Sequence, residues 1–300
     1  MKLSMNLWKH LKDTYGDFSD DECIEILKNA GFDGVDFPFC DWENESETLY
    51  SGKFERWIAD FGEKLRANGL CISQTHLPYL PGDYPPKGDS SYDTFAKTYV
   101  PLAARALELT NVLGGSIAVL HLYIGTDADS TLAGNKKYID ALRPFCERYG
   151  VKIAFENSFG YNRRDGIIPC FIGTEEEMLR YAEYGGSDCF GLCLDTGHAM
   201  LLGDDPVKLI KAFGSRLIAL HVNSNTGSRR PDDLHLLPNT LHWSEPVKWA
   251  EISAALKEIG YCGSYNLELM LPAYSSQKQV LSAFVKYAGT VGRYYAELAG

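Results

Sequence analysis

The sequence predicts an α/β protein folded as a (β/α)8 TIM barrel, with its active site at the C-terminal ends of the strands. Two observations carry this. Eight strand-like runs alternate strictly with eight helix-like runs along the 300 residues, which implies parallel strands joined by crossover helices. Six of those strands then end in a side chain suited to metal binding: His76 in CISQTH, His121 in IAVLHL, Glu156 in KIAFEN, Asp195 in GLCLD, His221 in LIALHV and Glu268 in YNLEL. A polar group at the end of a buried strand costs on the order of 2–7 kcal/mol unless something satisfies it. Six at recurring spacing describe a ring of ligands at one end of a barrel, where such barrels build their sites. An open doubly wound sheet would gather its site at one switch point beside a glycine-rich loop, and neither GxGxxG nor a phosphate-binding GxxxxGK occurs.

The strands fall at 2–7, 33–38, 70–76, 116–122, 151–157, 189–195, 217–223 and 264–270. The helices fall at 19–30, 46–68, 91–113, 130–149, 174–185, 205–214, 245–259 and 278–298. Ser19-Asp20-Asp21-Glu22 and Thr174-Glu175-Glu176-Glu177 fit the capping box, with an acid three residues after the hydroxyl. Gly31, Gly69, Gly150 and Gly260 stand where left-handed helix ends would fall. The segments after the third, fifth and seventh strands (78–91, 158–173 and 224–243) are long enough to cover a barrel mouth. With no linker or low-complexity tract, residues 1–300 are expected to form a single domain.

A net charge of −11 offers no basic footprint, so no nucleic-acid partner is expected. Eight cysteines without a CxxC pair point to reduced, buried thiols and a cytoplasmic location. The N-terminus lacks a signal-like apolar stretch and no apolar run reaches 18 residues, so neither a leader nor a membrane span is expected.

The chemistry concentrates on four strand ends. Glu156, Asp195, His221 and Glu268 make three carboxylates and one imidazole. Such an oxygen-rich set suits one divalent ion, manganese, cobalt, magnesium or zinc, with room left for substrate oxygens; a structural zinc site would use more cysteine and histidine. In Asp195-Thr-Gly-His198 the spacing of three across a turn allows a second imidazole to face the same cavity. Asp233 and His235, shortly after His221, join His76 and His121 as candidates for further ligands or substrate contacts. Trp8, Trp42, Tyr79, Tyr123, Phe159 and Trp243 stand near strand ends, where aromatics could wall a sugar pocket.

The segments AGFDGVDF (30–37), IAFEN (153–157), GLCLDTGH (191–198), LHVN (220–223) and DLHLLP (233–238) resemble the xylose isomerase-like barrel superfamily. That group contains sugar and sugar-phosphate isomerases and epimerases, inosose dehydratases and isomerases, and apurinic endonucleases of the endonuclease-four type. The resemblance implies a metal held by Glu156, Asp195, His221 and Glu268. It also implies that the two glutamates donate and accept a proton through an enediolate, and that His198 holds a substrate oxygen. A small sugar or polyol substrate and a possible homo-oligomer follow from the same resemblance.

Two departures bear on the substrate. The arginine that ketose 3-epimerases usually place six residues after the strand-seven histidine is here Gly227, with Arg229 and Arg230 nearby. The Gly-x-Gly stretch that many members carry after the loop histidine is missing, so a free sugar is at least as well supported as a phosphate. The rival reading is a nuclease with up to three zinc ions. Its nine ligands match His76, His121, Glu156, Asp195, His198, His221, Asp233, His235 and Glu268 in type and order, and Gly227-Ser228-Arg229 also resembles it. Against it stand the acidic charge and the DTGH turn, where the nucleases usually carry cysteine in place of Gly197. A non-catalytic barrel that binds a metal or sugar is the third alternative.

Overall fold

The computed structural model describes residues 1–6, 18–42, 46–79, 90–162, 164–226, 233–241, 247–270 and 278–300. The chain opens with β1 (Leu3–Asn6) and α1 (Asp20–Asn29), then β2 (Gly34–Pro38), α2 (Ser46–Leu49), α3 (Gly52–Ala67) and β3 (Cys71–His76). Next come α4 (Tyr92–Leu113), β4 (Ile117–His121), α5 (Ala128–Tyr149) and β5 (Lys152–Glu156). A hairpin of β6 (Gly160–Asn162) and β7 (Gly166–Ile168) leads to α6 (Glu175–Gly185), β8 (Phe190–Asp195), α7 (Thr196–Leu202) and α8 (Pro206–Phe213). The remainder is β9 (Leu217–His221), α9 (Trp249–Glu258), β10 (Tyr265–Leu267) and α10 (Lys278–Ala299).

The large sheet runs β10-β1-β2-β3-β4-β5-β8-β9, and every neighbouring pair in it is parallel. Its two ends meet. Val222 bridges Leu267 in parallel, the Val222 N–H donates to the Asn266 carbonyl at 2.8 Å, and the Glu268 N–H donates to the Val222 carbonyl at 3.2 Å. The eight strands therefore close into the expected (β/α)8 barrel.

Local chemistry explains the helix limits. Ser19 and Thr174 both form the capping boxes read from the sequence, each worth about 1 kcal/mol. Gly31, Gly69, Gly150 and Gly260 all have positive φ, as their positions require. The helix expected over 46–68 is instead broken at Tyr50 and Ser51. Ser51 adopts an extended backbone and accepts a hydrogen bond from the Phe54 N–H, so it caps α3 and ends α2. The β6–β7 hairpin, inside the long segment after β5, was not expected, and of α7 only the start was, where the strand turns into a helix after Asp195. At three and seven residues, they are too short for periodicity to reveal.

The barrel interior is layered. Val119, Ala154, Cys193 and Ala219 form a small cluster of their own on β4, β5, β8 and β9. They stand two residues before His121, Glu156, Asp195 and His221, so the alternation of a strand puts them on the same inward face, one layer down. The same layer on the other four strands is polar: Ser4, Asp36, Gln74 and Asn266, all buried. The larger core lies between strands and helices and includes the fully buried Phe37, Phe61, Phe155 and Trp249. All eight cysteines are free thiols; five are buried, Cys40 and Cys71 are half-buried, and Cys262 is exposed, against the expectation of burial. No described helix is long and apolar enough to cross a membrane.

Candidate metal centre

Strand register brings the predicted residues to one level. His121 pairs with Glu156 across β4 and β5 no differently from any apolar pair, Asp195 pairs with His221 across β8 and β9, and His76 closes β3 opposite Pro38. Glu268 stands one residue past β10. All six polar strand ends therefore face one another at the C-terminal mouth of the barrel. His198 reaches them from α7, and Asp233 and His235 from the segment after β9. Arg229, Trp8 and Trp243 lie outside the described residues, as does the side chain of Trp42.

Glu156 is the hub. Its Oε1 lies 2.9 Å from His221 Nδ1, and its Oε2 lies 2.8 Å from His121 Nε2 and 3.2 Å from His76 Nε2. His76 is oriented by its other nitrogen, Nδ1, 3.0 Å from the Leu77 carbonyl. His221 Nδ1 also lies 3.3 Å from Glu268 Oε2, and its Nε2 lies 3.2 Å from Asp36 Oδ2. On the far side, Asp233 Oδ2 meets His235 Nε2 at 2.9 Å and His198 Nε2 at 3.3 Å.

Asp195 does two jobs. As the N-cap of α7 its Oδ1 accepts the His198 N–H at 2.7 Å, which sets the turn that swings His198 inward. Its Oδ2 accepts from Asn223 Nδ2 at 2.9 Å. Asn157, directly after Glu156, ties β5 to β8: its Oδ1 accepts the Asp195 N–H at 2.7 Å and its Nδ2 donates to the Asp195 carbonyl at 3.0 Å. Gly197 fits because any side chain there would crowd two asparagines. A Cβ there would lie 1.9 Å from Asn223 Oδ1 and 2.6 Å from Asn225 Nδ2.

Burial and charge pull these groups in opposite directions. Burial alone would raise Glu268, but His221 and His235 beside it hold it at about 2. Glu156 is likewise kept well below the carboxylate range, against burial, by His221 and His121. Burial lifts Asp195 to about 7 against the pull of His198 and His235. His198 is held at about 10, since Asp195 and Asp233 outweigh the burial that would lower it. His121 follows burial downward.

Four groups of side chains each bring their ligand atoms within 4.8 Å of one another: Glu156 with Asp195, His221 and Glu268; His76 with His121 and Glu156; His76 with His221 and Glu268; and Asp195 with His198 and His235. The first is the four-residue set read from the sequence. A divalent cation fits it. Glu268 Oε2 is buried and makes no well-aligned hydrogen bond among the described residues, although His235 Nδ1 and His221 Nδ1 stand 3.2 and 3.3 Å away, a state that a native site resolves with an ion or water.

A cavity of about 170 Å³ adjoins the cluster. Its walls include Asn6, Asp36, Cys40, His76, Tyr79 and Glu268. Three of these were not singled out as site residues from the sequence: Asn6, Asp36 and Cys40, whose thiol hydrogen-bonds His76. Tyr79 stacks on His121 with ring centroids 4.1 Å apart, so one of the expected aromatic walls is in place.

The model of the xylose isomerase-like TIM barrel family matches residues 24–281, well over half of the chain. The chain belongs to that family. Among curated relatives, y4fM of Sinorhizobium fredii is 25% identical over 62% of this chain and 57% of its own length. A probable endonuclease 4 of Nitrosopumilus maritimus is 31% identical over 49% of this chain and 50% of its own. An inosose isomerase of Halalkalibacterium halodurans is 28% identical over 44% of each. The chain thus spans about half the length of the curated relatives it matches. Solved members of the fold cover it end to end. A D-psicose 3-epimerase structure with D-fructose aligns over 100% of both chains with a TM-score of 0.73 and 17% identity. The Escherichia coli 3-keto-D-glucoside 4-epimerase covers 97% of this chain and 99% of its own, with a TM-score of 0.66 and 15% identity.

Proposed function

We propose that this family member is a divalent-metal-dependent isomerase or epimerase of a small sugar or polyol. The observation that carries the reading is the convergence of Glu156, Asp195, His221 and Glu268 at the barrel mouth, with their ligand atoms within 4.8 Å. These four would hold the ion. When bound, it would supply Lewis-acid stabilisation of the negative charge that develops on a substrate oxygen as a neighbouring carbon loses its proton. Glu156 and Glu268 are the proton-transfer pair. Both are held below the usual carboxylate range, so at neutral pH each begins as an acceptor, and the glutamate that takes the carbon-bound proton then holds the proton that returns to the enediolate. A glutamate that is so weak a base needs an acidified carbon acid as its partner, and that is the reason for pairing it with a cation. His198, fixed by its Nδ1 contact of 2.8 Å to the Asn157 carbonyl, presents Nε2 toward Asp195 and Asp233 and is placed to donate to a substrate oxygen. The named activities of the psicose epimerase and inosose isomerase relatives support the same class of substrate.

The nuclease reading draws on the additional groups of His76 with His121 and Glu156, and of Asp195 with His198 and His235. Two features weigh against it. The net charge of −11 opposes the approach of a polyanion. The close approach of Asn223 and Asn225 to Gly197 crowds the position where the nucleases usually carry cysteine. The test is a panel of free ketoses and inososes with manganese, cobalt, magnesium or zinc in deuterium oxide, read by NMR. Metal-dependent deuterium exchange at a carbon beside the carbonyl supports the isomerase. Cleavage of an abasic-site oligonucleotide, with about three zinc ions per chain, would replace it.

A further inference from the structure

The buried polar half-layer beneath the mouth is not needed to explain the four-residue set, yet it touches that set at one point. Asp36, on β2, is only 1% exposed. Its Oδ2 collects three donors: Asn266 Nδ2 at 2.8 Å, Gln74 Nε2 at 2.9 Å and His221 Nε2 at 3.2 Å. The two amides are themselves fixed. Ser4 Oγ donates to Asn266 Oδ1 at 2.7 Å, and Gln74 Nε2 also reaches the Leu220 carbonyl at 3.2 Å. Three strands, β3, β9 and β10, thus each send a donor to one carboxylate oxygen on β2, and Ser4 on β1 braces one of them.

We propose that Asp36 is a positioning residue, one that holds the proton of His221 on Nε2 and so leaves Nδ1 as the atom that meets the cation. The argument is one of donors and acceptors and rests on the metal reading above. Asp36 Oδ2 already accepts from the Asn266 and Gln74 amides, so it serves there as an acceptor, and an imidazole nitrogen 3.2 Å away is held by a proton. The opposite nitrogen, Nδ1, faces Glu156 Oε1 at 2.9 Å and Glu268 Oε2 at 3.3 Å, inside the four-residue set. Without Asp36 the ring could place its proton on Nδ1, where the two glutamates would welcome it and a cation would not. A carboxylate behind a ligating histidine also makes the ring more basic toward the ion. The ring plane is fixed in the same way, since Gln74 and Asn266 leave Oδ2 no freedom to follow a rotating imidazole.

The test uses the full chain loaded with zinc and labelled with 15N-histidine. In the wild type, His221 is expected to show a protonated Nε2 with a downfield, hydrogen-bonded proton, and an unprotonated Nδ1. Asp36→Asn keeps an oxygen for the three donors but removes the charge. It is expected to move that proton resonance upfield and to weaken zinc binding, measured by competition with a chromogenic chelator, by about 10-fold or more. Zinc binding by Asp36→Asn within about twofold of wild type overturns the proposal. So does a His221 Nε2 without a proton in the zinc-loaded wild type, a measurement that needs no variant to fold. The metal reading fails separately: His221→Ala that binds zinc like the wild type would remove it, whatever Asp36→Asn does.

Discussion

His121 Nε2 lies 2.8 Å from Glu156 Oε2, the oxygen opposite the one that meets His221 Nδ1 at 2.9 Å. Glu156 is therefore gripped at both oxygens, and its carboxyl plane is set before any substrate arrives. Such preorganisation suits a proton-transfer group, because no reorientation is needed during the step. Glu156→Gln and Glu268→Gln each keep the shape and remove the basic oxygen. Each is expected to lower kcat by about 10²- to 10⁴-fold while the circular dichroism spectrum is unchanged. Steady-state kinetics on the substrate found in the panel check this, and a fully active Glu268→Gln would defeat the role given to that residue.

The protonation of the cluster makes metal binding depend on pH. Burial holds Asp195 at about 7, and His221 is kept protonated well above its ordinary range, against burial, by Glu268 and the groups around it. A cation must displace these protons, so apparent affinity rises with pH, by about tenfold per pH unit for each proton released. The rise should run through the Asp195 value near 7. Calorimetric titration in two buffers of different ionisation enthalpy reads the released protons directly. Affinity that stays flat across neutral pH would show that the ligands are already stripped of protons.

Much of this site is legible from the chain, and the reason is local. Each of His76, His121, Glu156, Asp195, His221 and Glu268 interrupts an apolar run at its end, which is costly anywhere but at a barrel mouth. Asp36 escapes the same reading because Phe37 and Pro38 follow it in β2, so it looks like an interior strand residue. The available signal was parity: Gln74 and Asn266 stand two residues before His76 and Glu268 and must share their face. The break between α2 and α3 is hidden for a different reason. Ser51-Gly52 lies within an amphipathic stretch, and a cap in mid-pattern shows only once the backbone turns. The β6–β7 hairpin is local, with Asn162 pairing Gly166, but strands of three residues are too short for alternation to show.

The cavity walls set an expectation about charge. Asp36, Asp233 and Glu268 contribute carboxylates, and the described lining has no lysine or arginine. A phosphate placed there would meet three carboxylates, offset on those walls only by the imidazoles of His76 and His235. The free sugar is therefore expected to exceed its phosphate ester in kcat/KM by about tenfold or more, equivalent to about 1.4 kcal/mol in the transition state. Parallel assays of a ketose and its phosphate decide the matter. A preference for the ester would point to Arg229 or Arg230 as the phosphate's partner.

Gly197 offers the sharpest test of how the metal-facing turn is built. Its neighbour Asn223 is pinned, donating through Nδ2 to Asp195 Oδ2 at 2.9 Å and through its backbone N–H to Thr196 Oγ1 at 3.0 Å. Asn225 is pinned as well, by the Leu234 N–H at 2.9 Å and by Asp233 Oδ1 at 3.2 Å. A methyl group at 197 would overlap both amides, so one of these networks must give way. Overpacking of this kind costs about 1–3 kcal/mol, and Gly197→Ala is expected to lower Tm measurably. The nearest atom is Asn223 Oδ1, at 1.9 Å, so if Asn223 moves, Asp195 should lose a donor and metal affinity should fall together with stability. Asn223→Ala removes the obstructing side chain. In the double variant the two losses of stability should therefore be less than additive, by at least about 0.5 kcal/mol. Thermal unfolding of the four proteins in the cycle measures that coupling, and strict additivity would show that the contact between Gly197 and Asn223 does not shape the turn.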